Sequence, residues 1–131
     1  MGIKLVALIT ALAAIEVMVF GMLVGRGRGI YGVPAPATSG HPAWERLNRV
    51  HQNSVEQLVV FLPLLWTFAL SISQTWAAIL GALFLVGRIV YAVGYAQDPA
   101  RRAAGAIITV VVESILAAGS VIGYIVQIAR S

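Results

Sequence analysis

The 131-residue chain contains no cysteine. That excludes disulfides, thiolate metal sites and a cysteine nucleophile, so any thiol chemistry must use a sulfur brought by a ligand. Charge is scarce. Asp, Glu, Lys and Arg make up 11% of the residues, against about a quarter in soluble domains. His41 and His51 are the only histidines, and they form no metal-ligand pattern. The arginines are not interleaved with aromatic residues as on a single-strand nucleic-acid platform, despite a formal net charge of +4. No internal period suggests an inverted-repeat transporter.

What the chain has in abundance is apolar side chains, at 60% of residues. The composition makes lipid the solvent. Crossing the hydrocarbon core takes roughly 20 apolar residues in a helix. Four segments qualify: about Ile3–Gly25, about Pro42–Ile72, about Thr75–Tyr95 and about Pro99–Ile128. The runs are continuous rather than alternating, so the expected fold is an all-α integral membrane protein, a four-transmembrane-helix bundle in one domain, and not a barrel. The first run is too long for a typical signal-peptide core and lacks a small-residue cleavage site, so it is expected to be retained.

The connections set the topology. Residues 26–41 are rich in Gly, Pro, Thr and Ser and read as a loop. The Ser71–Gln74 link is short and forces a hairpin. Asp98 and Pro99 suit the N-cap and first position of the fourth helix. Arg26, Arg28, Arg46, Arg49, Arg101 and Arg102 then fall at one end, against Lys4 and Arg130 at the other. The positive-inside rule makes the arginine-rich end cytoplasmic. The second helix is expected to exceed the bilayer core and to kink at Pro63, which cannot donate to the Val59 carbonyl.

Polar residues leading into a bilayer mark a site or a helix contact. Residues 45–57 carry Glu45, Arg46, Asn48, Arg49, His51, Gln52, Asn53, Glu56 and Gln57 and lead straight into Leu58–Ile72. Arg49, Asn53 and Glu56 share one helical face at i, i+4, i+7. They suit a zwitterion, with Arg taking a carboxylate and Glu an ammonium; an internal salt bridge accounts for the spacing equally well. Arg88, Tyr91 and Tyr95 form a second face. It reads either as an interfacial aromatic belt or as donors to a ligand. Arg101 and Arg102 are topology charges, unless Arg102 points into the bundle and adds to the positive helix terminus, which favours a thiolate. Arg26 and Arg28 are cations at a helix C-terminus, where they are favourable on their own account. Glu16 and Glu113 lie inside spans and are expected to be protonated or paired, with each other or with Ser114 and Thr109, as helix–helix contacts.

The run Glu-Arg-Leu-Asn-Arg-Val-His-Gln-Asn-Ser-Val-Glu at 45–56 resembles a signature of the MAPEG family, membrane-associated proteins in eicosanoid and glutathione metabolism. The run Gly-Arg-Ile-Val-Tyr-Ala-Val-Gly-Tyr-Ala at 87–96, followed by Pro99 and Arg102, resembles that family's third-helix signature. His51-Gln52-Asn53 is most similar to the microsomal glutathione transferase branches 2 and 3. The resemblance implies a homotrimer binding glutathione between adjacent subunits near the cytoplasmic face. By position it gives Arg49, Asn53, Glu56, Tyr91 and Tyr95 the peptide, Arg28 a carboxylate, His51 a further contact and Arg102 the thiolate. Arg88 is implied to be structural or near the site. Glutathione would be the co-substrate, with no metal, and a hydrophobic electrophile or lipid hydroperoxide would arrive from the membrane lipids.

Two positions depart from the leukotriene synthase branch. Gln57 stands for a tyrosine and Gly29 for an arginine, which points toward a detoxifying transferase or peroxidase. The short termini suggest a bacterial member in the inner membrane. A non-catalytic lipid-binding adaptor of the same family is the alternative.

Overall fold

The computed structural model describes residues 1–131. It contains helices only: α1 Gly2–Tyr31, α2 Pro42–Ser71, α3 Gln74–Gln97, a 3₁₀ turn Pro99–Arg102 and α4 Ala103–Arg130. All four long helices have the length and hydropathy to cross a membrane. α2 and α3 form the centre, each touching the other and both flanking helices, with α1 and α4 on either side. Helices joined by short links run antiparallel, so the 32–41 loop and the Asp98 turn share one end. The termini and the Ser71–Gln74 link share the other.

The helix boundaries follow from local chemistry. The His41 side chain accepts from the Ala43 amide at 3.1 Å, and Pro42 opens α2 with no amide to satisfy. Ser73 caps α3 by accepting from the Trp76 amide at 3.2 Å. Asp98 accepts from the Ala100 amide at 3.0 Å, in line with its expected role. The fourth helix nevertheless begins as a 3₁₀ turn and becomes α-helical only after Arg102. α2 runs unbroken through Pro63.

α1 departs from expectation. It continues through Gly25-Arg26-Gly27-Arg28 to Tyr31 instead of ending near Gly25. The cause is tertiary. Trp44 is fully buried and donates from Nε1 to the Val24 carbonyl at 3.1 Å. Gly27 lies beneath it, where a Cβ would stand 3.2 Å from Trp44 Cδ1. The Arg28 guanidinium sits 4.5 Å from the Trp44 ring centroid. The glycines that read as a loop therefore make room for a neighbouring helix. Gly32, at φ 67°, ends α1 in the left-handed conformation, and the Val33 amide returns to the Arg28 carbonyl at 3.0 Å.

The packed core lies toward the end away from the arginines. Phe61 stacks on Phe84 with centroids 3.7 Å apart, among fully buried Val6, Leu65, Val112 and Leu116. Hydroxyls add cross-links: Trp66 Nε1 donates to Thr10 Oγ1 at 2.9 Å, and Thr67 Oγ1 to Ser120 Oγ at 2.9 Å. Only 27 of 131 residues are buried, and the outer faces carry Leu8, Met22, Val59, Leu70, Ile107 and Ile122 in the open. That surface suits a hydrocarbon solvent rather than water.

α3 and α4 approach most closely at Gly105, which lies against the Tyr91 backbone. A Cβ there would stand 2.5 Å from Tyr91 Cα, a contact that no side-chain rotation relieves. Gly105→Ala is expected to destabilise the bundle by about 1–3 kcal/mol, the usual range for overpacking. Thermal unfolding in detergent checks this against Gly29→Ala, whose Cβ would meet nothing within 4 Å.

Candidate functional site

At the arginine-rich end, α2, α3 and α4 enclose a cleft of about 350 Å³. α2 contributes Arg49, Asn53 and Gln57; α3 contributes Arg88, Tyr91 and Tyr95; and the fourth helix contributes Arg102, Ala106, Thr109 and Val110. The cleft has depth. Arg49 to Gln57 spans eight residues of α2, about 12 Å at 1.5 Å per residue. Arg49, Tyr95 and Arg102 form its mouth, and Gln57, Arg88 and Thr109 its floor.

Arg88 organises the floor. It is 2% exposed, and a guanidinium so buried needs partners on every side. Its Nη2 donates to Asn53 Oδ1 at 2.6 Å and to Ser54 Oγ at 2.9 Å, and its Nη1 donates to Thr109 Oγ1 at 3.3 Å. Its Nε has no partner. The Tyr91 ring lies 4.4 Å from the guanidinium carbon, within cation–π range. Glu16 from α1 and Glu113 from α4 both lie within electrostatic reach of Arg88. With the Gln57 amide turned so that its nitrogen faces the carboxylate, it donates to Glu113 at 2.8 and 2.9 Å. The partner of Glu113 is thus Gln57, backed by Arg88, rather than Ser114 or Thr109.

Arg49 pairs with Glu56 at 3.5 Å, and the two side chains are 47% and 58% exposed. Exposed pairs of this kind contribute about 0–1 kcal/mol, so a ligand carboxylate can replace Glu56 at little cost. The Tyr91 and Tyr95 rings stack with centroids 5.7 Å apart.

Five of the expected residues therefore meet in one cleft: Arg49, Asn53, Tyr91, Tyr95 and Arg102. Three do not line it within a single chain. Glu56 points outward, paired with Arg49. His51 faces α1, where a Cβ on Gly21 would lie 3.2 Å from its Nε2. Arg28 donates to the Val33 and Ala37 carbonyls at 3.3 and 2.9 Å, bracing the 32–41 loop. Gln57 and Thr109 were not singled out from sequence as cleft residues. Their spacing held the signal: Gln57 is four residues beyond Asn53, and Thr109 seven beyond Arg102.

The geometry defines a class: a four-helix membrane protein with a cationic, phenol-lined cleft at one end. Comparison with known proteins narrows it. The MAPEG family model matches residues 6–122, and the chain belongs to that family. An uncharacterized protein of Synechocystis is 46% identical over 93% of this chain and 89% of its own length. Microsomal glutathione S-transferase 2 of Bos taurus is 36% identical over 77% of this chain and 69% of its own. Leukotriene C4 synthase of Bos taurus is 31% identical over 78% and 68%.

Because Arg88 cannot lose its charge, removing it strands Glu16 and Glu113. Arg88→Met is expected to cost about 3–5 kcal/mol, the range for breaking a buried ionic network. Chemical or thermal unfolding in detergent measures the loss. The double variant Arg88→Met with Glu113→Gln should recover part of it.

Proposed function

We propose that the protein is a glutathione-dependent membrane transferase that works as a homotrimer. The observation that carries the reading is the cleft. It gathers Arg49, Asn53, Tyr91, Tyr95 and Arg102 from three helices, in a chain whose relatives include microsomal glutathione S-transferase 2. Arg49 exchanges Glu56 for a peptide carboxylate and can hold it with two parallel hydrogen bonds. Asn53 and the two phenols orient the peptide. Arg28 and His51, which face away from this cleft, serve the cleft of the adjacent protomer, so each site is completed across a subunit boundary. Glu56 lies beside that boundary and contacts the same peptide.

Arg102 stands at the mouth, at the start of α4, where its charge adds to the partial positive charge of the helix terminus. A free thiol has a pKa near 8.5, so about a few per cent is ionised at neutral pH. Each unit by which the site lowers it requires about 1.4 kcal/mol of preferential interaction with the thiolate. The thiol proton leaves to water at the mouth. The thiolate then forms a bond to an electrophilic carbon as the leaving group departs with its electron pair. With a hydroperoxide, the sulfur takes the distal oxygen and an alcohol departs. A second glutathione then displaces water from the sulfenic acid to give the disulfide. Apolar electrophiles reach the site from the bilayer and the peptide from the aqueous side. The arginine-rich end facing the cytoplasm follows the positive-inside rule, and the Synechocystis relative supports a bacterial source, for which the inner membrane is the proposed setting.

The alternative, a non-catalytic lipid-binding adaptor, needs no thiolate. Rapid mixing with glutathione, followed by thiolate absorbance, separates the two. The unaltered protein should generate thiolate, and Arg102→Ala should abolish it and lower kcat/KM roughly 10²-fold while peptide binding survives. Binding without thiolate and without turnover of an aryl halide would establish the adaptor.

Shared sites make a second prediction. Arg28→Ala and Arg102→Ala chains, each nearly inactive alone, should recover activity when co-expressed, because mixed trimers contain boundaries with neither defect. No recovery, with mixed oligomers demonstrated, would place Arg28 outside the site.

A further inference from the structure

We infer that the groove between α1 and α3 binds an anionic phospholipid, with an acyl chain along the helix seam and the phosphate among Arg26, Arg46 and Arg101.

Two cavities, of about 230 and 390 Å³, follow one another along this seam and share Phe20 and Ile89 as wall residues. The one nearer the arginine-rich end is lined by hydrophobic residues alone, among them Leu23 of α1, Leu47 and Val50 of α2 and Ala96 of α3. The deeper one has a single polar wall residue, Glu16, whose carboxylate lies within electrostatic reach of Arg88. Along α1 the groove runs from Leu12 to Leu23, about 16 Å at 1.5 Å per residue. One leaflet of hydrocarbon is about 15 Å deep, half of the core. The groove therefore has the length of an acyl chain laid along one leaflet.

This groove is separate from the peptide cleft, and α3 divides the two. Arg88, Tyr91 and Tyr95 line the cleft, whereas Ile89, Val93 and Ala96 line the groove.

The end of the groove carries charge that the cleft does not use. Arg46 Nη1 donates to the Gln97 carbonyl at 3.4 Å, and Arg101 Nη1 donates to Gln97 Oε1 at 3.1 Å. Gln97 directly follows the wall residue Ala96, so it brings two guanidinium groups to the rim. Arg26 lies one turn beyond Leu23 on α1. Its neighbour Gly27 abuts Leu47, since a Cβ there would stand 3.0 Å from Leu47 Cδ1. Arg26 and Arg46 are thus each one residue from the same junction of α1 with α2. Glu45 and Asp98 share this end, yet none of the three arginines has a carboxylate within ion-pair distance. Asp98 instead caps the Ala100 amide.

Three unpaired cations above an apolar groove match a phosphate joined to a hydrocarbon chain. Arginine takes phosphate oxygens through paired N–H donors, and basic pockets between membrane helices hold anionic headgroups. A zwitterionic lipid gains less, because its own cation meets the same arginines. A free phosphate would leave the apolar walls unfilled.

Native mass spectrometry of the full chain in detergent, with equimolar dioleoyl phosphatidylglycerol and dioleoyl phosphatidylcholine, tests the assignment. The unaltered protein should retain the anionic lipid in preference by about fivefold or more, the scale of one arginine near a charged surface. Arg26→Gln with Arg46→Gln should cut that preference to about twofold or less. Arg26→Gln alone, at an exposed position, should already lower it. Arg102→Gln removes a charge at the same end but outside the groove, and should leave the preference unchanged. Ala96→Trp fills the groove and should lower retention of both lipids. Excess glycerol 1-phosphate should displace neither. Equal retention of the two lipids by the unaltered protein, or a preference that survives loss of both arginines, overturns the headgroup assignment. An equal loss in Arg102→Gln reduces the effect to general surface charge and overturns the site. Unchanged retention in Ala96→Trp overturns the groove, and displacement by glycerol 1-phosphate would make the site one for free phosphate.

Discussion

A guanidinium held inside a membrane bundle is the constraint on which the rest depends. Arg88 is 2% exposed and cannot shed its proton, so the surrounding helices must supply acceptors and negative charge. They do so from three helices: Asn53 and Ser54 from α2, Thr109 and Glu113 from α4, and Glu16 from α1. One residue of α3 thereby ties together all four helices. Lipid gives apolar helix faces little reason to prefer one another over acyl chains, so polar contacts and close backbone approach set the arrangement. Arg88 provides the first, and Gly105 against Tyr91 the second.

The same network is the floor of the cleft. Asn53 and Tyr91 touch Arg88 on one side and line the cleft on the other. Stability and binding therefore draw on the same atoms. The rigid floor contrasts with the mouth, where Arg49, Glu56 and Arg102 are exposed and exchange partners cheaply. A fixed floor and an exchangeable mouth suit a ligand that enters from water and is held at depth.

Much of this was legible in the sequence. Span number and type follow from hydropathy, and Asp98 and Pro99 from capping chemistry. The helical spacing of Arg49 with Asn53, and of Tyr91 with Tyr95, put each pair on one face. What escaped was set by tertiary contact. The Gly-Arg-Gly-Arg run has the composition of a loop, yet it stays helical because Trp44, sixteen residues or more away along the chain, packs on Gly27 and bonds Val24. The partner of Glu113 was also hidden, since Gln57 lies on another helix and spacing within one helix cannot pair residues between two. Glu56 shares the Arg49 face in sequence, but the ion pair turns it away from the cleft.

Arg28 shows how a local brace and the proposed binding role can coexist. Its Nη1 bonds two loop carbonyls and its guanidinium carbon lies 4.5 Å from the Trp44 ring centroid. A guanidinium has five N–H donors in a fixed fork, and these contacts use one nitrogen. The other donors are held in a set direction at the end of a helix that projects past the hydrocarbon core. α1, at 30 residues, is about 45 Å long against a core of about 30 Å. Immobilising Arg28 before any ligand arrives removes much of the side-chain ordering cost from binding. A cation braced in this way, outside its own chain's cleft, is well suited to complete a site on a neighbouring subunit, where a flexible one would be poorly aimed.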